Sequence, residues 1–143
     1  YITSSMAKSE AINRGFDEAI LMTSDGKVAE ASGMNIFVVR DGKLITPGVE
    51  QDILEGITRR SVIQIARDLG HEVIERPLDK SELLIADEAF LCGTAAKISP
   101  IAQVENFELK APGELTTKIS SIFNKITTGQ SEDYRDWLDF IEY

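Results

Sequence analysis

Apolar positions along the chain come first in short runs separated by turns, and later at the spacing of helices. In the first third, Asp25-Gly26 and Asp41-Gly42 each lie between two apolar runs. An Asp-Gly pair in this position is a strong signal for a β-hairpin. The pattern therefore predicts a meander of about four strands over residues 18–46.

Helices are expected on both sides of this meander. Before it, the first dozen residues predict a helix in which Ile2, Met6 and also Ala11 share one face. After it, apolar residues at helical spacing predict a second helix that ends at Gly70 and, in the last third, the most amphipathic helix of the chain. The apolar positions of these two helices are Val62, Ile65, Ala66 and Leu69, followed by Leu115, Ile119, Ile122, Phe123 and Ile126.

The remaining segments predict shorter elements. Asp79 and Glu82 have the spacing of a capping box, which predicts a short helix after them. Because strands and helices mix without a linker or a repeat, the sequence predicts one α+β (mixed α/β) domain over residues 1–143, with an antiparallel-rich sheet. The other expected elements are strands at 72–77 and 88–93, an extended stretch at 98–109, and a short terminal helix that begins near Ser131.

Composition narrows the possible functions. The net charge is −9, and the 15 Lys and Arg residues are scattered among acids, so a nucleic-acid partner is not expected. The apolar runs are too short to cross a membrane. The single cysteine, Cys92, supports neither a disulfide framework nor a thiolate metal site, and a reducing cytoplasm is the natural setting. We interpret Cys92 as a small buried residue at a strand end.

Three short stretches have residue types that could bind a ligand: the Glu30 carboxylate could bind a ring nitrogen or a cation, and the other two stretches could bind an anion. In AEASGMNIF, Glu30 comes near a strand end, and Gly33 lets a ligand approach the backbone. In LEGITRR, a glycine precedes the first turn of a helix, so the N–H groups of Ile57 and Thr58 can bind an anion. In CGTAAKISP, the backbone of Thr94 and Ala95, with the Thr94 hydroxyl, can do the same. Each stretch alone also fits an ordinary exposed strand, helix start or turn.

Taken together and in this order, the stretches AEASGMNIF, LEGITR, ADEAFLCGTAA and TGQSEDYRDWLDFI resemble the class IV (fold-type IV) pyridoxal-phosphate-dependent aminotransferases. The terminal WLDFI is most like the branched-chain amino-acid aminotransferases. The resemblance implies a D-amino-acid-aminotransferase-like large domain, with a sheet or pseudo-barrel and packed helices. It implies pyridoxal 5'-phosphate as cofactor, amino acids and 2-oxo acids as substrates, a homo-oligomer, and no metal.

The resemblance also implies roles for individual residues. Glu30 pairs with the pyridine nitrogen of the cofactor, and Leu54 packs on a face of the ring. Gly33 and Ala95 contribute to the substrate pocket. The phosphate is held by Ile57, Thr58 and Thr94, Thr94 also contacts the substrate carboxylate, and Tyr1 hydrogen-bonds the phenolic oxygen.

The residue that such an enzyme needs for covalent chemistry is not found at its place in this chain. In the family, a lysine that bonds to the cofactor lies shortly before the tyrosine matched by Tyr1. We therefore expect the lysine and a small N-terminal domain upstream of Tyr1, and we expect these 143 residues alone to be inactive. Lys8, the nearest lysine, is interpreted as a solvated helix residue.

Three other functions stay open at this point. An aminodeoxychorismate lyase and a D-amino-acid aminotransferase carry related motifs. A domain that only binds an anion or mediates oligomerisation is the alternative outside enzymes, although such a domain has no use for Glu30, Thr58 and Thr94 together. The leading hypothesis is transfer of an amino group between leucine, isoleucine or valine and 2-oxoglutarate.

Overall fold

The computed structural model describes residues 2–141, and its elements follow the apolar pattern closely. The four strands of the first third, the central helix and the amphipathic helix of the last third are confirmed. The four strands do not form one meander, because the first two make a separate two-stranded sheet. The helices are α1 (Ile2–Asn13), α2 (Ile57–Asp68), α3 (Lys80–Leu84) and α4 (Glu114–Thr127). The strands are β1 (Ile20–Met22), β2 (Val28–Ala31), β3 (Asn35–Arg40), β4 (Lys43–Thr46), β5 (Val73–Glu75), β6 (Glu88–Gly93), β7 (Lys97–Pro100), β8 (Gln103–Val104) and β9 (Phe107–Glu108).

Five of these strands form the main sheet, in the order β5-β4-β3-β6-β7. All its neighbours are antiparallel except β4 and β5, so the predicted antiparallel-rich α+β domain is confirmed. In the centre, Phe37 lies opposite Phe90, and their rings stack with centroids 5.1 Å apart. The two Asp-Gly turns join β1 to β2 and β3 to β4, as their sequence predicts.

Both faces of the main sheet are covered, because its central strands are apolar at nearly every position. One face packs against α2 and α4 and includes Phe37 and Ile119. The other face, which includes Ile36 and Leu91, packs against α3 and the β2 and β8 strands. Since side chains alternate along a strand, Asn35 belongs to the same face as Phe37 and points to the side of α2.

A buried carboxylate fixes the start of α4. Glu88 accepts hydrogen bonds from the backbone N–H groups of Leu115 and Thr116 at 3.1 and 2.9 Å, and from the Thr116 hydroxyl at 2.7 Å. A Cβ on Gly113 would lie 1.8 Å from the Glu88 Cδ, so only glycine fits before this helix. The carboxylate occupies the place of the N-cap side chain that α4 lacks.

Two details differ from the prediction. The helix α1 is present, but Ile2 and Met6 are 80% and 68% exposed, and Ala11 belongs to the opposite, half-buried side with Ser4 and Ala7. Three apolar positions over ten residues are too few to define an inward face. The expected terminal helix is only a 3₁₀ turn over Arg135–Trp137 within the described residues.

The C-terminal segment is held by tertiary contacts in place of a regular helix. The Tyr134 hydroxyl donates to Asp68 Oδ2 at 2.6 Å, which ties the segment to the end of α2. Tyr134 and Trp137 meet edge to face, with ring centroids 4.6 Å apart. Burial, together with the nearby Asp68 carboxylate, raises the pKa of Tyr134 to about 12, so this hydroxyl stays protonated and keeps donating.

Candidate active site

Glu30 has one carboxylate oxygen fixed and the other without a hydrogen bond. The Asn35 side-chain amide and the Leu54 backbone N–H both donate to Oε2, each at 3.0 Å. Within residues 2–141, no donor reaches Oε1. Burial raises the pKa of Glu30 above its usual value, and the hydrogen bond from the Leu54 N–H offsets only part of this rise. The free oxygen is therefore available to a positively charged donor of a ligand.

Asn35 joins Glu30 to the loop before α2. Its Nδ2 donates to Glu30 and also to the Leu54 carbonyl oxygen, at 2.8 Å in the second case, while the residue is only 5% exposed. A Cβ on Gly56 would lie 2.4 Å from Asn35 Oδ1, so glycine is needed where the loop enters the helix. Sequence reasoning missed Asn35. A polar residue at the start of the otherwise apolar run IFVV is the signal that points to it.

The start of α2 has the geometry of an anion site. Gly56 is its N-cap and offers no side-chain hydrogen bond, so the N–H groups of Ile57 and Thr58 have no partner inside the helix. Their dipoles add positive potential at this point. Leu54 and Ile57 are 71% and 75% exposed, which leaves both side chains free to contact a ligand.

The first of the two arginines after Thr58 does not offer its charge to this anion site. Arg59 is buried, and its guanidinium donates to the Pro47 carbonyl and to Glu75 Oε2, both at 2.9 Å. Its positive charge is therefore paired with the Glu75 carboxylate inside the domain. Arg60 is exposed on the helix surface.

The third stretch forms the turn between β6 and β7, and the sheet places it beside the first. Asn35 of β3 is paired with Cys92 of β6. A Cβ on Gly93 would lie 3.4 Å from the Gly33 carbonyl oxygen, so the backbones of the two connections nearly touch. The exposed Thr94 and Ala95 follow directly.

Cys92 itself is fully buried near the end of β6, which confirms its interpretation as a small buried residue at a strand end. Burial raises the pKa of its thiol to about 12. The single histidine, His71, lies beside the turn between β3 and β4, with Nδ1 3.2 Å from the Gly42 carbonyl oxygen, whereas Cys92 is paired with Asn35 at the other end of β3. Among residues 2–141, no group of three or more His, Cys, Asp or Glu side chains is placed to hold a metal ion. No helix in the same range is long and apolar enough to cross a bilayer.

The structure thus brings together Glu30, Leu54 and the start of α2 through hydrogen bonds, and Gly33 with the Thr94 turn through backbone proximity. Tyr1 lies outside the described residues. Lys8 is half exposed and forms an ion pair with Glu18 at 3.0 Å, in agreement with its interpretation as a solvated residue.

Comparison with known proteins gives a consistent result. The family model for class IV aminotransferases matches residues 1–104. The probable branched-chain-amino-acid aminotransferase of Synechocystis is 57% identical over 138 residues, which cover 96% of this chain and 45% of that protein.

Solved structures agree. The branched-chain aminotransferase of Thermoproteus uzoniensis with norvaline superposes with a TM-score of 0.95 at 49% identity, over 97% of this chain and 46% of that one. The branched-chain amino acid aminotransferase of Thermobaculum terrenum, in its PLP form, gives 0.95 at 48% identity, with the same coverage. The chain spans about half the length of the relatives it matches. Because the family model matches most of this chain, the chain belongs to the class IV aminotransferases.

Proposed function

We propose that the protein carrying this chain is a pyridoxal-phosphate-dependent aminotransferase that exchanges amino groups between leucine, isoleucine or valine and 2-oxoglutarate. Membership of the class IV family and the branched-chain names of the relatives support this proposal. The observation that carries it is the Glu30 carboxylate, which is held through one oxygen and open at the other, beside an uncapped helix start.

The residues of the site fit this cofactor. When bound, pyridoxal phosphate supplies a ring that accepts electrons from the substrate. The free oxygen of Glu30 would hold a proton on the ring nitrogen, since an ionised carboxylate stabilises a neighbouring positive charge. The N–H groups of Ile57 and Thr58, with the Thr94 hydroxyl, would hold the phosphate. The exposed Leu54 side chain would cover one face of the ring.

For the substrate, we propose that the Gly33 backbone and the Thr94-Ala95 turn form one wall of the pocket. The close approach of Gly33 to Gly93 supports this, because both connections then border the same space. The lysine that forms the covalent bond, and the N-terminal domain that closes over the substrate, are proposed to precede Tyr1. Residues 1–143 would then be the cofactor-binding C-terminal domain.

We further propose a homo-oligomer in the cytoplasm, with no nucleic-acid or membrane partner. The acidic charge supports the absence of a nucleic-acid partner, and the single, buried cysteine suits a reducing cytoplasm. The homo-oligomer rests on the family resemblance alone.

Replacing Glu30 by glutamine tests the proposed function in the protein that carries this chain. The neutral amide cannot hold the ring-nitrogen proton as a carboxylate does, so we expect the rate of amino transfer from leucine to fall by about 10²-fold or more. Cofactor content at saturating pyridoxal phosphate, measured by absorbance, should change by less than about threefold, since the phosphate contacts remain.

A matched control is Glu108→Gln, at an exposed strand position away from the site. It should leave the leucine rate unchanged. Equal rates for Glu30→Gln and the control would contradict the role of Glu30. A panel with D-amino acids and aminodeoxychorismate distinguishes the related enzymes: turnover of either in place of leucine would overturn the proposed substrate class.

A further inference from the structure

We infer that Asn35 is a positioning residue that holds the Glu30 carboxylate in the orientation needed for the ring nitrogen. The inference rests on the proposed function and deepens it. Asn35 reaches the cofactor only through Glu30, so it is not itself a catalytic residue.

Three hydrogen bonds form a closed ring among Asn35, Glu30 and Leu54. The Asn35 Nδ2 donates to Glu30 Oε2 at 3.0 Å and to the Leu54 carbonyl at 2.8 Å. The Leu54 N–H donates to the same Oε2 at 3.0 Å. A side chain held by two donors at one oxygen cannot rotate without losing both, so Oε1 keeps one direction.

The chemistry of the asparagine side chain suits this arrangement. An amide nitrogen carries two N–H donors, and here each has its own acceptor. The opposite orientation of the amide would place its oxygen against a carboxylate and a carbonyl, so the contacts fix which atom is the nitrogen. Asn35 is also only 5% exposed, which limits the access of bulk water to its hydrogen-bond partners.

The surroundings of Asn35 are shaped to keep it in place. A Cβ on Gly56 would lie 2.4 Å from the Asn35 Oδ1, so the missing side chain at Gly56 leaves room for the amide. Its backbone is fixed in β3 opposite Cys92. Asn35 therefore transmits the position of the rigid central sheet to Glu30, which lies near the end of the shorter strand β2.

The test is a double-mutant cycle in the protein that carries this chain, with pyridoxal phosphate dissociation as the readout. Asn35→Asp keeps the shape but removes both donors and brings a second carboxylate to Glu30. Loss of a hydrogen bond to a charged group should weaken cofactor binding by about tenfold or more. In a Glu30→Ala background, the same change should cost about threefold or less, because nothing remains to be positioned.

A second readout does not depend on the cofactor. The pKa of Glu30, followed by carbon-13 NMR of its carboxyl group, should rise in Asn35→Asp and also in the smaller Asn35→Ser, because each removes an N–H donor that favours the ionised form. The matched control Asn124→Asp, on the exposed side of α4, should change neither readout.

Equal losses of cofactor affinity in both backgrounds, or a Glu30 pKa that stays unchanged in both Asn35 variants, would overturn the inference. Failure of the unmodified protein to bind pyridoxal phosphate would instead contradict the proposed function. In that case, the pKa of Glu30 still decides whether Asn35 controls its carboxylate.

Discussion

Gly56→Ala is expected to destabilise the protein because the added Cβ would collide with the Asn35 side chain. The new Cβ would lie 2.4 Å from Asn35 Oδ1, well inside contact distance. The Gly56 backbone itself has φ −63° and ψ 141°, which alanine adopts without strain. The cost therefore arises from the side chain that must move, and Asn35 is buried and bonded on both sides.

The magnitude follows from the contacts that Asn35 would lose. Its bond to the Glu30 carboxylate contributes about 1.5–3 kcal/mol and its bond to the Leu54 carbonyl about 1 kcal/mol, if both break fully. Alanine is also a poorer N-cap than glycine, by about 0.5 kcal/mol. Since part of the strain will relax, we expect a loss of about 2–4 kcal/mol in the free energy of unfolding.

Urea unfolding measures this difference. Gly33→Ala is a matched control, because a Cβ there meets no atom within 4 Å, and it should change the free energy of unfolding by less than about 0.5 kcal/mol. In an Asn35→Ser background, Gly56→Ala should cost less than about 1 kcal/mol, since the clash is relieved. Equal stability of the Gly56→Ala and Gly33→Ala variants would refute the reasoning.

Two further predictions concern carboxylates that stabilise the fold. Glu88→Ala leaves the N–H groups at the start of α4 buried without partners, so urea unfolding should show a loss of about 2–4 kcal/mol; a loss under about 1 kcal/mol would contradict the proposed cap. Arg76 and Arg40 lower the pKa of Glu82 from 4.5 to about 2. Its stabilisation should therefore be complete above about pH 5 and decline as the pH falls through 4.5 towards 2. The full shift corresponds to about 3 kcal/mol, and solvent screening of the part-exposed arginines should reduce this to about 1–2 kcal/mol. The stability difference between the unmodified protein and Glu82→Gln should shrink by about half between pH 6 and pH 3; a constant difference would show that the ion pairs do not contribute.

Local structure could be predicted from the sequence because its signals are local. The Asp-Gly turns, the spacing of the apolar residues in α2 and α4, and the Asp79–Glu82 capping box all act within a few residues, and the structure confirms each of them. The terminal helix is the exception. There, the contact of Tyr134 with Asp68, 66 residues away, prevailed over the local helix signals.

The candidate site was predictable in its parts but not in its assembly. Glu30 and the glycine before α2 were recognisable as residue types suited to their chemistry. Glu30 meets the loop before α2 only through its contact with Leu54, 24 residues later in the chain. The Gly33 connection meets the Thr94 turn only because the sheet pairs β3 with β6 across about fifty residues of intervening chain. For the same reason, the burial of Arg59 against Glu75 could not be predicted from the stretch LEGITRR alone.

The sequence by itself determined most of the strands and helices, the α+β class, and the family to which the ordered motifs belong. The tertiary structure alone decided that Asn35 faces Glu30 and Leu54, that Glu88 caps a helix that begins 26 residues later, and that Oε1 of Glu30 is left open. The physical reason is that the contacts with Leu54 and with the start of α4 join residues far apart in sequence, so they depend on strand order and register. Asn35 and Glu30 are only five residues apart, but they meet only because β2 and β3 fold back on each other.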